Sequence, residues 1–224
     1  MSAHSFSLAI CGDGAVGKSS IVKVFKDSGF SSVYKQTLGI SFLEKIIKLK
    51  GKSVSIRLWD VGGQSINSNN LKNYLQGANA IFLCYDVTNT ESFLNLNDWL
   101  NVVKLHTVFQ KPLLYVVGNK VDLLANRQVN DDRHNHFIAS NQLKGGLLLS
   151  ARSGENLMRS FYKIAGEVVG LPLTDSELQV YDKVLDAEIQ LGGDDEGRTA
   201  WADQIEAEDK AAMEAQQAAC CLIS

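Results

Sequence analysis

Phe6-Ser7-Leu8-Ala9-Ile10-Cys11-Gly12-Asp13-Gly14-Ala15-Val16-Gly17-Lys18-Ser19 is the stretch on which the fold turns. Its first six residues are short and nearly continuously apolar, as suits a strand buried on both faces of a parallel sheet. The next eight fit the phosphate-loop pattern, and a run with helical character follows them. In such a strand–turn–helix unit the backbone N–H groups point inward and the helix N-terminus adds partial positive charge, so amides hold phosphate oxygens. Gly12, Asp13, Gly14, Ala15, Val16 and Gly17 are therefore expected to cradle phosphates, with Ser20 in the same nucleotide-binding set. Lys18 would neutralise the outer phosphates and the Ser19 hydroxyl would ligate Mg2+. A glycine-rich turn that matches by chance is the plain alternative.

Further along, Val54–Trp59, Ala80–Tyr85, Leu113–Val117 and Gly146–Leu149 repeat the short apolar pattern of the first strand. Helical spacing appears between them at Glu91–Leu105 and Glu155–Val169. The alternation implies right-handed crossovers with helices on both faces. Ser41–Leu49, then Gly51–Lys52, then Ser53–Trp59 reads as a hairpin and adds one antiparallel strand. The expected architecture is α/β, a phosphate-loop NTPase fold whose six-stranded, mostly parallel sheet carries its ligand beyond the carboxyl ends of the strands.

Asn119-Lys120-Val121-Asp122 follows directly on one of those strands. The Asp122 carboxylate has two acceptor oxygens, which can take both the ring N–H and the exocyclic amine of guanine; adenine offers no such pair. Guanine is thus the expected base, with Lys120 along one side of the ring and Phe30 stacked on the other. Trp59-Asp60-Val61-Gly62-Gly63-Gln64 closes another strand. There Asp60 would orient Mg2+ through a water, Gly63 would lend an N–H to the terminal phosphate, and Gln64 would align the attacking water. An Asp60 that merely caps the next helix is the alternative. Thr37, beside Tyr34 in Tyr34-Lys35-Gln36-Thr37, would reach Mg2+ and the γ-phosphate only when that phosphate is present, which makes its loop a switch.

The bulk numbers narrow the class. In 224 residues with 45% hydrophobic and 21% charged content there is room for one well-filled core and a tail, and only two prolines occur. A net charge of −3 without a basic stripe argues against nucleic acid. The cysteines are two isolated residues, Cys11 and Cys84, and a terminal pair, Cys220 and Cys221, which is no disulfide framework and suits a reducing cytosol. No run approaches 18 apolar residues, so membrane contact would come from lipid or a partner. The expected division is a nucleotide-binding domain over 1–170 and a tail over 171–224, in which Leu173–Leu191 reads as one amphipathic helix. Residues 194–224 hold eight acidic and two basic residues, a net −6 within the overall −3, so residues 1–193 carry +3.

These residues together resemble the Ras superfamily and, within it, the Rab branch, over residues 5–170. The resemblance is carried by Gly12–Ser19, Thr37-Leu38-Gly39-Ile40-Ser41-Phe42, Trp59–Gln64, Tyr85-Asp86-Val87-Thr88, Asn119–Asp122 and Ser150-Ala151. It implies a monomeric GTP hydrolase that cycles between GDP and GTP with Mg2+, and partners in the form of an exchange factor, a GTPase-activating protein and effectors. Leu38, Ile40 and Trp59 would face an effector, while Ser150, Ala151 and Arg152 would complete the base site, Ala151 through its backbone N–H. The residues also look like a divergent member of the branch, which implies a place on the cytosolic face of endosomal or ciliary membranes. Departures from the branch are Ser41 and Ser65 where acidic residues are usual, Gly62 for alanine and Arg152 for lysine.

Cys221-Leu222-Ile223-Ser224 matches a prenylation signal, and its terminal serine favours farnesyl. One farnesyl chain binds membranes marginally and the acidic tail adds no polybasic attraction, so Cys220 is a candidate second lipid site. Two rivals stand beside this reading. A phosphate-loop kinase would prefer ATP, against the Asn119–Asp122 signal; a non-hydrolysing GTP-binding scaffold would have no use for Gln64.

Overall fold

The computed structural model describes residues 4–27, 39–68 and 71–181. Phe30, Tyr34, Thr37, Leu38, Cys220 and Cys221 lie outside the described residues, as does the expected Leu173–Leu191 helix beyond residue 181. Strands β1 (His4–Gly12), β2 (Ile40–Leu49), β3 (Lys52–Val61), β4 (Ala80–Asp86), β5 (Leu113–Asn119) and β6 (Gly145–Leu148) form one sheet in the order β2-β3-β1-β4-β5-β6. Pairing is parallel except between β2 and β3. The expected six-stranded sheet with one antiparallel member is therefore the one observed.

Burial explains why the strand sequences read as continuous apolar runs. Along β1, Leu8 and Ile10 enter one core layer and Ala9 and Cys11 the other. Phe82 and Cys84 of β4 do likewise against Ile81, Leu83 and Tyr85. Helices α1 (Lys18–Asp27) and α6 (Leu157–Val168) cover the first face. Helices α2 (Leu71–Gln76), α3 (Thr90–Leu94), α4 (Leu96–His106) and α5 (Asp131–Asn141) supply residues to the second. Phe25 of α1 stacks on Phe161 of α6 with ring centroids 3.9 Å apart. Phe161→Ala would open a cavity there and cost about 3–5 kcal/mol.

Local structure departs from the sequence reading at three places. The hairpin turns at Lys50-Gly51 rather than Gly51-Lys52, because Leu49 pairs with Lys52 and the two turn residues have φ of 46° and 76°. Positive φ at both central positions is the two-residue turn whose twist matches that of the flanking strands. The Glu91–Leu105 segment is two helices, interrupted at Asn95 between α3 and α4. Helix α5 carries no strong apolar stripe and is fixed at its start instead: Asn130 accepts from the Arg133 N–H at 3.0 Å, with Asp131 and Asp132 in the first turn.

After α6 the chain turns back against that helix and the tip of the β2–β3 hairpin. Residues 175–181 are helical, Thr174 and Glu177 cap that start reciprocally, and Leu178 is buried. Tyr181 stacks on Tyr162 of α6 at 3.7 Å, and Lys50 at the hairpin tip donates to the Pro172 carbonyl at 2.8 Å.

Candidate functional site

The turn between β1 and α1 is the centre of the site. Gly17 has φ of 91°, and a Cβ there would meet the Asn119 Nδ2 atom at 2.2 Å, so residue 17 is glycine on both counts. Lys18 is buried; its ammonium donates to the Gly12 and Asp13 carbonyls at 2.8 and 2.5 Å. Burial pushes its pKa down, against the pull of nearby acidic groups including Asp60 and Asp13. An arriving phosphate oxyanion would reverse that, since opposite charge favours the ammonium.

Ser19 donates from Oγ to Asp60 Oδ2 at 2.5 Å across 41 residues of sequence. Asp60 is the penultimate residue of β3, is buried, and its pKa is raised by burial, with the Ser19 hydrogen bond and the Lys18 charge working the other way. Its Oδ1 atom is buried and makes no hydrogen bond to the described residues. An unpaired buried carboxylate oxygen is costly unless something else completes it. A hydroxyl and a carboxylate side by side are hard oxygen donors, and with phosphate oxygens and waters they suit Mg2+. Among the described residues no group of three or more His, Cys, Asp and Glu could hold a metal, so any ion here would lean on its ligand's oxygens. Asp60 does not cap the following 3-10 turn, Gly63–Asn67, whose N-cap is Gly62.

Gly63 lies against the phosphate loop: a Cβ on it would sit 2.1 Å from the Gly14 N atom. Gln64 is exposed beside it. The Gly62 N–H donates to the Gly39 carbonyl at 2.9 Å, which ties the start of this turn to the start of β2.

On the opposite side, Asn119 is the connector. Its Nδ2 donates to the Val16 carbonyl at 2.9 Å, and its Oδ1 accepts from the Ala151 N–H at 3.0 Å. That N–H, expected to face a base, is directed in this structure to Asn119 instead. Ser150 donates from Oγ to Asp122 Oδ1 at 2.6 Å and accepts from the Arg152 and Ser153 N–H groups at 3.1 and 3.0 Å. Arg152 stands 3.9 Å from the other Asp122 oxygen. Lys120 pairs with Asp86 at 3.1 Å, and Asp86 also accepts from the Thr88 N–H and hydroxyl at 2.8 Å. A chain of hydrogen bonds thus runs from the Val16 carbonyl through Asn119 and the 150–151 turn to the Asp122 carboxylate.

Several residues near the site were not singled out by sequence. Asn95 and Trp99 donate to the Asp13 carboxylate at 2.7 and 2.9 Å. Phe42 of β2 and Tyr74 of α2 flank Trp59, with ring centroids 4.5 and 4.8 Å away, on the side of the sheet edge that also carries Ile40. Phe42 is half exposed. The signal that would have found this cluster is the pairing of Phe42 with Trp59 in the hairpin.

Comparison with known proteins gives a consistent result. The profile of the Ras family matches residues 7–170. Ras-related protein Rab-28 of Caenorhabditis elegans is 39% identical over 175 residues, covering 77% of this chain and 70% of that protein. Ras-related protein Rab-8B of Homo sapiens is 31% identical over 166 residues, covering 74% and 79%. Ras-related protein Rab-8A of Bos taurus is 31% identical over 165 residues, with the same coverage. Among the described residues no helix is long and apolar enough to cross a membrane.

Proposed function

The chain belongs to the Ras family, and from that premise we propose that it is a Rab-like switch that exchanges GDP for GTP, cleaves GTP to GDP and phosphate, and regulates membrane traffic through effectors that bind its GTP form. The observation that carries this is the Asn119 bridge, which holds the phosphate loop and the Asp122 turn in one frame through Val16 and Ala151. The frame sets the separation between a phosphate cradle and a pair of carboxylate acceptors, and a guanine nucleotide has matching groups at its two ends.

The roles follow from position. Amides of Gly12–Ser19 and the Lys18 ammonium take the phosphates, while Asp122 takes the guanine N–H groups with Lys120 alongside; Phe30 and Tyr34, outside the described residues, are assigned from the sequence, Phe30 to stack on the base and Tyr34 to the nucleotide-binding set. Ser19, Thr37 and Asp60 would hold Mg2+, whose charge offsets that of the phosphate oxygens. Gly63 presents an N–H to the γ-phosphate, and Gln64 orients the water that attacks it. Burial of Asp60 and Lys18 in the same pocket keeps bulk water from weakening these interactions. Loss of the γ-phosphate frees the Thr37 and Gly63 loops, and with them the Leu38, Ile40 and Trp59 face that, joined by Phe42 and Tyr74, an effector reads.

Residues 1–170 form the nucleotide domain in this reading, and 171–224 the tail. Cys221, with Cys220 as a second lipid site, would hold the chain on the cytosolic face of a membrane. Endosomal or ciliary membranes, and the exchange factor, activating protein and effectors that act there, complete the proposal. The test is single-turnover GTP cleavage followed by chromatography of the nucleotides. Mg2+-dependent conversion to GDP by the full chain is expected; a chain that binds GTP and never cleaves it, with or without an activating protein, would overturn the hydrolytic reading.

A further inference from the structure

We infer that Asn95 and Trp99 are positioning residues that clamp the Asp13 carboxylate away from the phosphates and thereby slow nucleotide release. The inference rests on the reading of Gly12–Ser19 as a phosphate cradle. Asp13 is the sole acidic residue of that turn. A carboxylate among amides meant for anions is a liability, because like charges repel strongly where water is excluded.

The structure resolves that conflict with two donors from one place. Trp99 Nε1 reaches Asp13 Oδ1 at 2.9 Å, and Asn95 Nδ2 reaches Asp13 Oδ2 at 2.7 Å, so both oxygens are occupied. The indole N–H can only donate, and its ring is buried in the apolar layer beneath α4, so its direction is fixed by packing. Asn95 occupies the N-cap position of α4, yet its side chain makes no capping hydrogen bond there. It is directed to Asp13 instead, 82 residues away in sequence, and the interruption between α3 and α4 is where it departs. The main chain of the same residue is held too, since the Asp13 carbonyl accepts from Lys18. Residue 13 is thus fixed at both its carbonyl and its carboxylate, with Lys18 on one side and α4 on the other.

Without the donors, the carboxylate is free to swing toward the bound phosphates and the loop loses its tie to α4. The test is a double-mutant cycle on the full chain, reading release of a fluorescent GDP analogue by stopped flow. Asn95→Ala and Trp99→Phe, singly and together, are made with Asp13 present and again with Asp13→Ala. The pair of substitutions should speed release roughly tenfold with Asp13 present and leave it within about twofold with Asp13→Ala, as expected for groups coupled through one partner. Asn95→Ala alone, which leaves the apolar layer intact, should show the same dependence on Asp13 to a smaller extent. Equal acceleration in both backgrounds would mean that the substitutions act through packing alone and would overturn the clamp, as would no acceleration in either. Failure of the unaltered chain to bind the analogue would overturn the cradle reading along with it, which separates the two failures.

Discussion

Asn119, Asp122 and Ser150 spend their polar atoms on one another and on the loops beside them, whereas Gln64 is exposed and Asp60 keeps one buried carboxylate oxygen without a hydrogen-bond partner among the described residues. One side of the cleft is finished by the protein itself; the other is completed by what binds. That division suits a switch, since base recognition must be constant while the γ-phosphate side must respond to its occupant. Charge burial divides the same way. The unpaired Asp60 oxygen stores a cost that an incoming cation relieves.

The largest effect should come from breaking the finished side. Asn119→Ala strands the Val16 carbonyl and the Ala151 N–H and should lower GDP affinity about a hundredfold, the order expected for two lost hydrogen bonds and a displaced loop; fluorescence titration reads it, and a drop under threefold would show that the frame is not needed. Gln64→Leu addresses only the responsive side. It should slow single-turnover GTP cleavage at least about tenfold while GDP affinity stays within twofold, and parallel losses in both would erase the distinction.

Acid sensitivity sharpens the contrast further. Behind the Asn119 strand, Tyr85 Oη lies 3.0 Å from His134 Nδ1, and burial lowers the His134 pKa from 6.5 to about 4. A histidine held neutral by the fold stabilises it fully above pH 6.5 and progressively less as pH falls toward 4. The nucleotide-free chain should therefore melt at lower temperature across that window, and His134→Gln should flatten the profile. Asp60 has the opposite sign, because its raised pKa means that ionisation costs stability as pH rises past the carboxylate range. Asp60→Asn should accordingly raise the melting temperature of the nucleotide-free chain slightly at pH 7 while weakening Mg2+-dependent GTP binding. A fall in melting temperature would show that the ionised carboxylate is better stabilised than its burial implies.

The parts of the molecule that were legible in the sequence are those fixed by local chemistry. The Gly12–Ser19 spacing marks a strand–turn–helix whatever surrounds it, and two-sided burial makes β4 continuously apolar. The hairpin register was read one residue late because Gly51 suggests the start of a turn, while the chain places positive φ on Lys50 as well. Helix α5 escaped notice because among its eleven residues only His134 and Phe137 are buried, too few to print a helical period. The Asp13 contacts with Asn95 and Trp99, like the contact of Tyr74 with Trp59, join elements that no hairpin register relates, and no spacing rule carries such a contact.

Whether one nucleotide spans the cleft from Lys18 to Asp122 is decided by the affinities of guanosine and xanthosine diphosphates for the full chain and for Asp122→Asn. Xanthine carries a carbonyl where guanine carries its exocyclic amine, so an asparagine amide offers it a donor where the carboxylate offered only acceptors. The unaltered chain should bind guanosine diphosphate far more tightly, and the variant should reverse that order. An unchanged preference for guanosine diphosphate in the variant would place the base away from Asp122 and contradict the arrangement argued from Asn119.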